Sequence, residues 1–288
     1  MNRHENTVPK NYEALPAGPA RPGPGLNQVS HERLRDGRVH ATLTLRLVAR
    51  DPVRVGTGGL VPVNDKGDLA QDLVVRNGAP LLPGSSLKGV LRTAVEALGG
   101  GCDLQQPCNP PCVACQLFGF VHGQQGHYAG RVSVEDAVAL KPREVRIQAQ
   151  KLPRAFQPRV KVGRRVYGPA VPGAPVSVLS LVAAVETTWE TRLHLANLTP
   201  AEAGLVLLGF GLDGSFHPRV GGGKYHGLGR VQVSAVRLRV RRDGYRAAPV
   251  VLEGDALKTE LTAWLGAVRL QEPGQRALAT LRRTMGAP

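Results

Sequence analysis

Residues 80–92 read Pro-Leu-Leu-Pro-Gly-Ser-Ser-Leu-Lys-Gly-Val-Leu-Arg, a pattern able to seat a phosphate. A strand-like apolar run (Val74, Val75, Leu81, Leu82) stops at Pro83-Gly84. Apolar residues then fall at 87, 90, 91, 94, 95 and 98, the spacing of one helical face. The first turn of a helix leaves N–H groups unpaired and carries the positive end of the dipole, so it attracts an anion. Ser85, Ser86, Lys88 and Arg92 would surround that anion with hydroxyl donors and positive charge. There is no Gly-x-x-x-x-Gly-Lys-Ser/Thr here, so this is not a Walker A loop. An ordinary strand–turn–helix with serine caps is the alternative reading.

Cys102, Cys108, Cys112 and Cys115 lie within 14 residues, at spacings C-x5-C-x3-C-x2-C. Four thiolates satisfy tetrahedral Zn²⁺, and C-x2-C is a common chelate step. Pro107, Pro110 and Pro111 exclude regular structure between them, so a metal would order the loop. His122 or His127 could replace Cys102 as fourth ligand, and disulfides or free thiols are the alternative. With every position filled by protein, such a site is structural.

Two further segments suit nucleic acid. In Gly221-Gly222-Gly223-Lys224-Tyr225-His226-Gly-Leu-Gly-Arg230, glycines interleave with cationic and aromatic residues, so a phosphate backbone could approach main-chain N–H groups. The same residues could form only a tight hairpin, and His226 has no visible catalytic partner. Between Glu144 and Glu186 there is no acidic residue at all. That window holds Arg146, Lys151, Arg154, Arg159, Lys161, Arg164 and Arg165, with Phe156 and Tyr167. A solvated face normally mixes signs, and the prolines and glycines at 153, 158, 163, 168 and 169 suggest a protruding hairpin over 144–175.

Several elements must position these groups. Ala41, Leu43, Leu45, Leu47 and Ala49 alternate with polar residues, predicting a half-buried strand. Residues 51–72, rich in Gly, Asp and Asn, read as a long loop, and Arg131–Val134 as a strand. Thr199, Pro200 and Glu202 predict a capped helix over 199–210. Val236, Leu238 and Val240 alternate with Arg237, Arg239 and Arg241, and 255–283 reads as one terminal helix. The proline-rich residues 1–36 read as a flexible arm before a domain over 37–288. The order strand, helix, strands, helix, strand predicts an α+β, ferredoxin-like (RRM-like) sandwich. Aromatic content is only 4%, so base stacking on a sheet is poorly served and binding should run through loops and phosphates.

Net charge is +15, and all but 8 of the 37 basic residues are arginine, whose planar fork suits phosphate, although a GC-rich genome also enriches arginine. The sequence contains no apolar run of membrane-spanning length, and Met-Asn-Arg-His-Glu-Asn lacks the apolar stretch of a signal peptide. Clustered cysteines without an export signal suggest a reducing cytoplasm and no membrane partner.

Pro-Gly-Ser-Ser-Leu-Lys-Gly-Val-Leu-Arg closely resembles the signature of the RAMP superfamily, RNA-binding subunits of CRISPR effector complexes, and in particular the type III backbone subunits. His194–Leu208, Gly221–Arg230 and Cys112-Val-Ala-Cys115-Gln-Leu-Phe-Gly119 resemble further family segments, in the expected order across about residues 40–240. The resemblance implies a RAMP domain with a zinc-binding insertion at 100–120. It also implies a thumb at 144–175 that wedges between guide and target bases. The partners it implies are a CRISPR guide RNA, complementary target RNA, and other RAMP and large subunits in antiviral defence. In active members an aspartate before this signature cuts the target, and Asp72 falls at the corresponding place, with Asp65 and Asp68 nearby. Its carboxylate would hold Mg²⁺ or Mn²⁺ against the scissile phosphate and assist attack by the ribose 2′-OH. The loop departs from the family's glycine-isoleucine-aspartate-asparagine-proline form, and a turn residue is the alternative role for Asp72. The alternatives to a target-cutting subunit are a non-catalytic backbone or capping subunit, and a stand-alone guide-processing endoribonuclease using His226.

Overall fold

The structure, a computed structural model, describes residues 12–15, 20, 31–102, 108, 111–121, 127–153, 164–169, 176–242 and 248–286. Strand β1 (Tyr12–Ala14) pairs antiparallel with Arg165–Tyr167, so a piece of the segment read as a flexible arm is tied into the fold. In β2 (Val39–Ala49), Leu43, Leu45, Leu47 and Ala49 are buried while Thr42, Thr44, Arg46 and Val48 face outward, as the alternation predicts.

The stretch 51–72 is less irregular than its composition suggests. It contains β3 (Leu60–Pro62) and β4 (Leu69–Gln71), joined by a turn in which Asn64 Oδ1 accepts from the N–H groups of Lys66 and Asp68. Three-residue strands carry too little apolar pattern to be read locally. These are fixed by a distant partner, for Gln71 pairs in parallel with Ser180 and accepts its hydroxyl hydrogen at 3.1 Å. Strands β5 (Val75–Arg76) and β6 (Ala79–Pro80) form a hairpin whose Asn77-Gly78 turn has φ of 52° and 76°.

Helix α1 (Gly84–Gly99) buries Leu87, Leu91, Val95 and Leu98. After it come α2 (Val113–Phe118) and the antiparallel pair β7 (Gly119–Val121) and β8 (His127–Ala129). Next are β9 (Val132–Val134), β10 (Val138–Ala139), β11 (Ile147–Pro153), β12 (Arg165–Tyr167), β13 (Val176–Ala183) and β14 (Thr188–Leu198). Helix α3 (Pro200–Gly209) carries the expected capping box. Thr199 accepts from the Glu202 N–H, and the Glu202 carboxylate accepts from the Thr199 N–H. That carboxylate also accepts from the buried Arg131 at 2.7 Å. Removing either partner alone would strand a buried charge, at a cost of about 3–5 kcal/mol.

The chain continues through β15 (Val231–Arg241), β16 (Val250–Leu252), α4 (Gly254–Gly266) and α5 (Glu272–Met285). The single helix expected over 255–283 is therefore two helices. It breaks after Gly266, and Pro273 stands in the first turn of α5, where its missing N–H costs nothing.

The main sheet runs β10-β14-β2-β15-β16, with β9 also on β14, and every pairing is antiparallel. Leu43, Leu45 and Leu47 share one buried cluster with Leu87, Leu91 and Leu98 of α1 and Val206 and Leu207 of α3. Helix α1 packs on α3 and α5, and α3 on α4. A second sheet, β11-β13-β4-β3, stands beside this mixed α+β body. Among the described residues no helix is long and apolar enough to cross a membrane.

Candidate nucleic-acid interface

Three motifs far apart in sequence line one cleft of about 660 Å³. Ser85 and Ser86 come from the start of α1, Arg164, Arg165 and Tyr167 from β12 and the residue before it, and Gly221, Gly222 and Lys224 from the glycine loop. Val90, Phe216 and Met285 give the cleft an apolar floor.

At the start of α1 the cap is Pro83, with no side-chain cap bond. The Gly84 N–H donates to Asp136 Oδ1 at 2.8 Å, and the Ser86 N–H to the Pro83 carbonyl at 2.9 Å. The helix end expected to be open to an anion is thus partly met by the chain's own carboxylate, 52 residues away. The two serine hydroxyls are what this turn presents to the cleft. Gly84 is required for packing, since a Cβ there would lie 2.1 Å from the Val134 carbonyl oxygen.

The glycine loop is hung from residues 51–54. Gly221 has φ of 80°, and a Cβ on it would meet the Arg54 carbonyl oxygen at 2.0 Å; the Gly222 N–H donates to that oxygen at 2.8 Å. Buried Arg219 braces the loop, donating to Asp51 at 2.7 Å, to the Tyr167 carbonyl at 2.9 Å and to the carbonyls of Gly227 and Leu228. Arg230 faces the same Asp51 at 3.2 Å, so it holds the loop from its other end. Lys224 begins a 3-10 turn and is half-buried at the cleft, and that burial pushes its pKa below the ordinary lysine range.

On the opposite wall the Arg165 guanidinium lies 5.1 Å from the centre of the Tyr12 ring, and Tyr12 contacts Tyr167 with ring centres 6.1 Å apart. Arg164 turns inward, donating to Glu96 Oε2 at 2.6 Å and to the Cys102 carbonyl at 2.9 Å. The other Glu96 oxygen accepts from Arg92 Nε at 2.8 Å. Arg92 also donates to the Gly119 carbonyl at 2.9 Å and lies 3.6 Å from Cys115 Sγ.

The four cysteines are brought together. Their sulfur atoms all lie within 4.8 Å of one another, three of the residues are buried, and none is in a disulfide. His127 is exposed on β8 and is not in the group; His122 lies outside the described residues. Cys112 caps α2, accepting from the Cys115 N–H, and its own N–H donates to Cys108 Sγ at 3.0 Å. Hydrogen bonds from Cys115, chiefly from its thiol, outweigh burial and bring Cys112 down to about 5. Burial, reinforced by Cys112, pushes Cys102 up to about 12, and its bond to Cys112 raises Cys115. A soft, four-sulfur set with N–H donors on its sulfurs fits a tetrahedral structural metal such as zinc.

Asp72 follows β4 directly. Its Oδ1 accepts from the Leu73 N–H at 2.7 Å and its Oδ2 from the Thr57 hydroxyl at 3.1 Å. Asp68 is engaged in its own turn with Asn64. Among the described residues the four cysteines are the sole group with three or more clustered metal-ligand side chains, so none forms around Asp72. Arg54 stands between Asp72 and the glycine loop. A Cβ at Gly222 would lie 3.2 Å from its Nη1, its Nε is buried without a hydrogen-bond partner among the described residues, and burial lowers its pKa against the pull of Asp72.

Other expected RNA contacts lie elsewhere. Lys88 and Arg92 do not line the cleft, and burial, then the charge of Arg92, lowers the Lys88 pKa. Gly223, Tyr225, His226 and Arg230 also do not line the cleft. His226 packs edge-on against Tyr225, burial lowers its pKa, and its Nδ1 has no partner among the described residues, so no proton relay is built on it. Arg154, Arg159 and Lys161 lie outside the described residues. Sequence reading missed Arg54, Asp136 and Arg219. Their partners are long-range, and no local pattern marks them.

The chain is thus a mixed α+β body with a cationic cleft built from separated motifs. The comparisons narrow it: a family model described as the RAMP superfamily matches residues 46–232, and the chain belongs to that superfamily. No curated protein matches the sequence. Among solved structures, Thermofilum pendens Csc2 is 14% identical, with 86% of each chain covered and a TM-score of 0.42.

Proposed function

We propose that this chain is a CRISPR guide-RNA-binding subunit of a type III effector complex, working in antiviral defence with target RNA, sister RAMP subunits and a large subunit. The observation that carries the reading is the meeting of the α1 start, β12 and the glycine loop in one cationic cleft. Phosphates would take the Ser85 and Ser86 hydroxyls, Arg165 and Lys224, with sugar and base against the apolar floor, a mode suited to single-stranded RNA. The strand order β9-β14-β2-β15, with α1 and α3 as the two connecting helices, supports a ferredoxin-like domain over 37–288 after an arm at 1–36. Antiparallel β11 and β13 flank residues 154–175, which supports a thumb hairpin over 144–175. The four thiols support structural Zn²⁺ in the 100–120 segment.

The test is anisotropy with fluorescent single-stranded RNA over a salt series. Steep salt dependence is expected, with a large loss in the K224E/R165E double variant. Salt-insensitive binding unaffected by these changes would overturn the reading.

Cleavage of guide-paired target RNA at Asp72 extends this proposal. A Mg²⁺ or Mn²⁺ ion held by Asp72 would supply Lewis-acid chemistry at the scissile phosphate. Arg54 beside it would hold phosphate charge. A second reading, a non-catalytic backbone or capping subunit, is favoured by one observation: both Asp72 oxygens already accept hydrogen bonds from the chain itself. Reconstituted complexes carrying Asp72→Ala decide between them.

A further inference from the structure

We infer that the solvent face of the main sheet, at the end bearing Arg239 and Arg241, is a second binding surface for a single-stranded nucleic acid, read through its phosphates. It lies on the side of the sheet away from α1 and α3. Cross-strand register sets Ser133, His194, Thr42 and Arg239 in one row, and Arg241 beside His40 in the next. The inward residues between them, Leu43, Leu193, Leu238 and Val240, belong to the helix-covered core. A row of hydroxyl, imidazole and guanidinium groups is therefore fixed by the pleat rather than by flexible loops.

A wall makes this face concave. Residues 33–36 fold over the sheet end, forming two adjoining depressions of about 370 and 460 Å³ that share Leu34. Arg33, Arg35 and Arg38 line one depression, and Arg239 and Arg241 the other. The wall is tied down from below. Buried Asn197, at φ of 59° in a bulge of β14, accepts from the Arg35 N–H at 2.9 Å and donates to the Arg33 carbonyl at 3.0 Å. His40 Nε2 bonds the Arg35 carbonyl at 2.9 Å, and the Asn197 N–H donates to His40 Nδ1 at 3.1 Å. A surface segment whose backbone is held by two buried side chains is a preorganised support for its arginines.

Charge selects the occupant. Farther along the same face, arginines are matched by carboxylates: Arg46 by Glu190 at 4.0 Å, Arg192 by Glu135 at 3.5 Å and Arg237 by Glu253 at 2.5 Å. At the walled end Arg38 faces Glu202 at 3.7 Å, His194 bonds Glu135 at 2.8 Å and Asp36 lines the same depression as Arg33, but Arg33 and Arg239 have no carboxylate partner among the described residues, so a positive excess remains there. Arginine forks suit phosphodiester oxygens, while Thr42 and His194 between them are bonded to each other at 3.1 Å and fix the floor. No phenylalanine, tyrosine or tryptophan lines either depression, so the contact is to backbone and not to sequence.

The experiment crosslinks the full-length protein to a 4-thiouridine RNA and maps the modified peptides by mass spectrometry. It compares wild type, R239E/R241E and the cleft variant K224E/R165E. Wild type should crosslink both around the cleft and within residues 31–42 or 231–242. The R239E/R241E variant should lose the second set, bind about tenfold more weakly and show a salt slope shallower by about 1.4. R239Q/R241Q, which removes charge without reversing it, should do the same to a smaller extent, and circular dichroism checks its fold. Crosslinks confined to the cleft, with unchanged affinity in both sheet variants, would overturn this inference and leave the cleft reading intact; an acidic protein as the true occupant gives that same result. Sheet crosslinks that survive in K224E/R165E, with no change in affinity there, would uphold this surface while sinking the cleft.

Discussion

The cleft and the Asp72 loop hang from the same stretch of chain, residues 51–59, yet their charged groups are left in different states. Gly222 is held by the Arg54 carbonyl, Val74 by that of Val55 and Asp72 by that of Gly59. On the cleft side, Lys224 is partly desolvated, and between the two regions Arg54 keeps a buried Nε without a partner among the described residues. Such groups gain by meeting a phosphate. On the other side, the Asp72 carboxylate is already met by Leu73 and Thr57. One region is poised to bind; the other is composed unless a metal and a phosphate rearrange it.

The largest effect expected is all-or-none and bears on the second region. Asp72→Ala in a reconstituted complex should abolish Mg²⁺-dependent target cleavage, read on a gel, while RNA affinity changes less than about twofold, because an anion is removed from a phosphate path. Full cleavage, with no active sister subunit present, would reduce the chain to a scaffold. Asp65→Ala and Asp68→Ala should cut normally; a stronger loss at either would mean the wrong carboxylate is assigned. On the cleft side, K224E/R165E should weaken single-stranded RNA by about 10²-fold, with each lost contact lowering the salt slope by about 0.7.

A third experiment asks whether the cysteine cluster stands apart from both regions. Purified protein should carry about one Zn²⁺ per chain, and Cys112→Ser should expose residues 100–120 to protease while thermal unfolding stays cooperative. Arg92→Gln removes the guanidinium beside Cys115 and should weaken zinc about 10–100-fold in a chelator competition.

The smallest effect is in pH. Burial lowers the pKa of both His217 and His226, so the unfolded chain takes up protons first as pH falls. Stability should therefore be full above the ordinary histidine range, near 6.5, and decline as pH drops below it toward the lowered values. His226→Gln should flatten that decline in thermal melts without changing RNA affinity more than about twofold.

What could be read in advance follows the range of the forces involved. Strand β2 and the capping box of α3 are written in residues a few positions apart, and both formed as read. The cysteines announced themselves by crowding within one loop. The β3–β4 pair did not, because its order comes from Ser180, 109 residues beyond Gln71. The phosphate seat was half legible: Ser85 and Ser86 reach the cleft, but the claim of Asp136 on Gly84 has no local trace. Arg92 looked like a phosphate ligand by spacing, yet Glu96, one turn later on the same helix, turns it toward Cys115.

Glu96 has a wider meaning. One buried carboxylate serves Arg92, which faces the thiol cluster, and Arg164, which forms part of the cleft wall. Exchanging either arginine for a neutral residue leaves Glu96 matched by the other alone, whereas a change at Glu96 itself leaves two cations facing each other. In the descent of this chain Glu96 should therefore be the last of the three to change, replaced only where Arg92 and Arg164 have both been replaced.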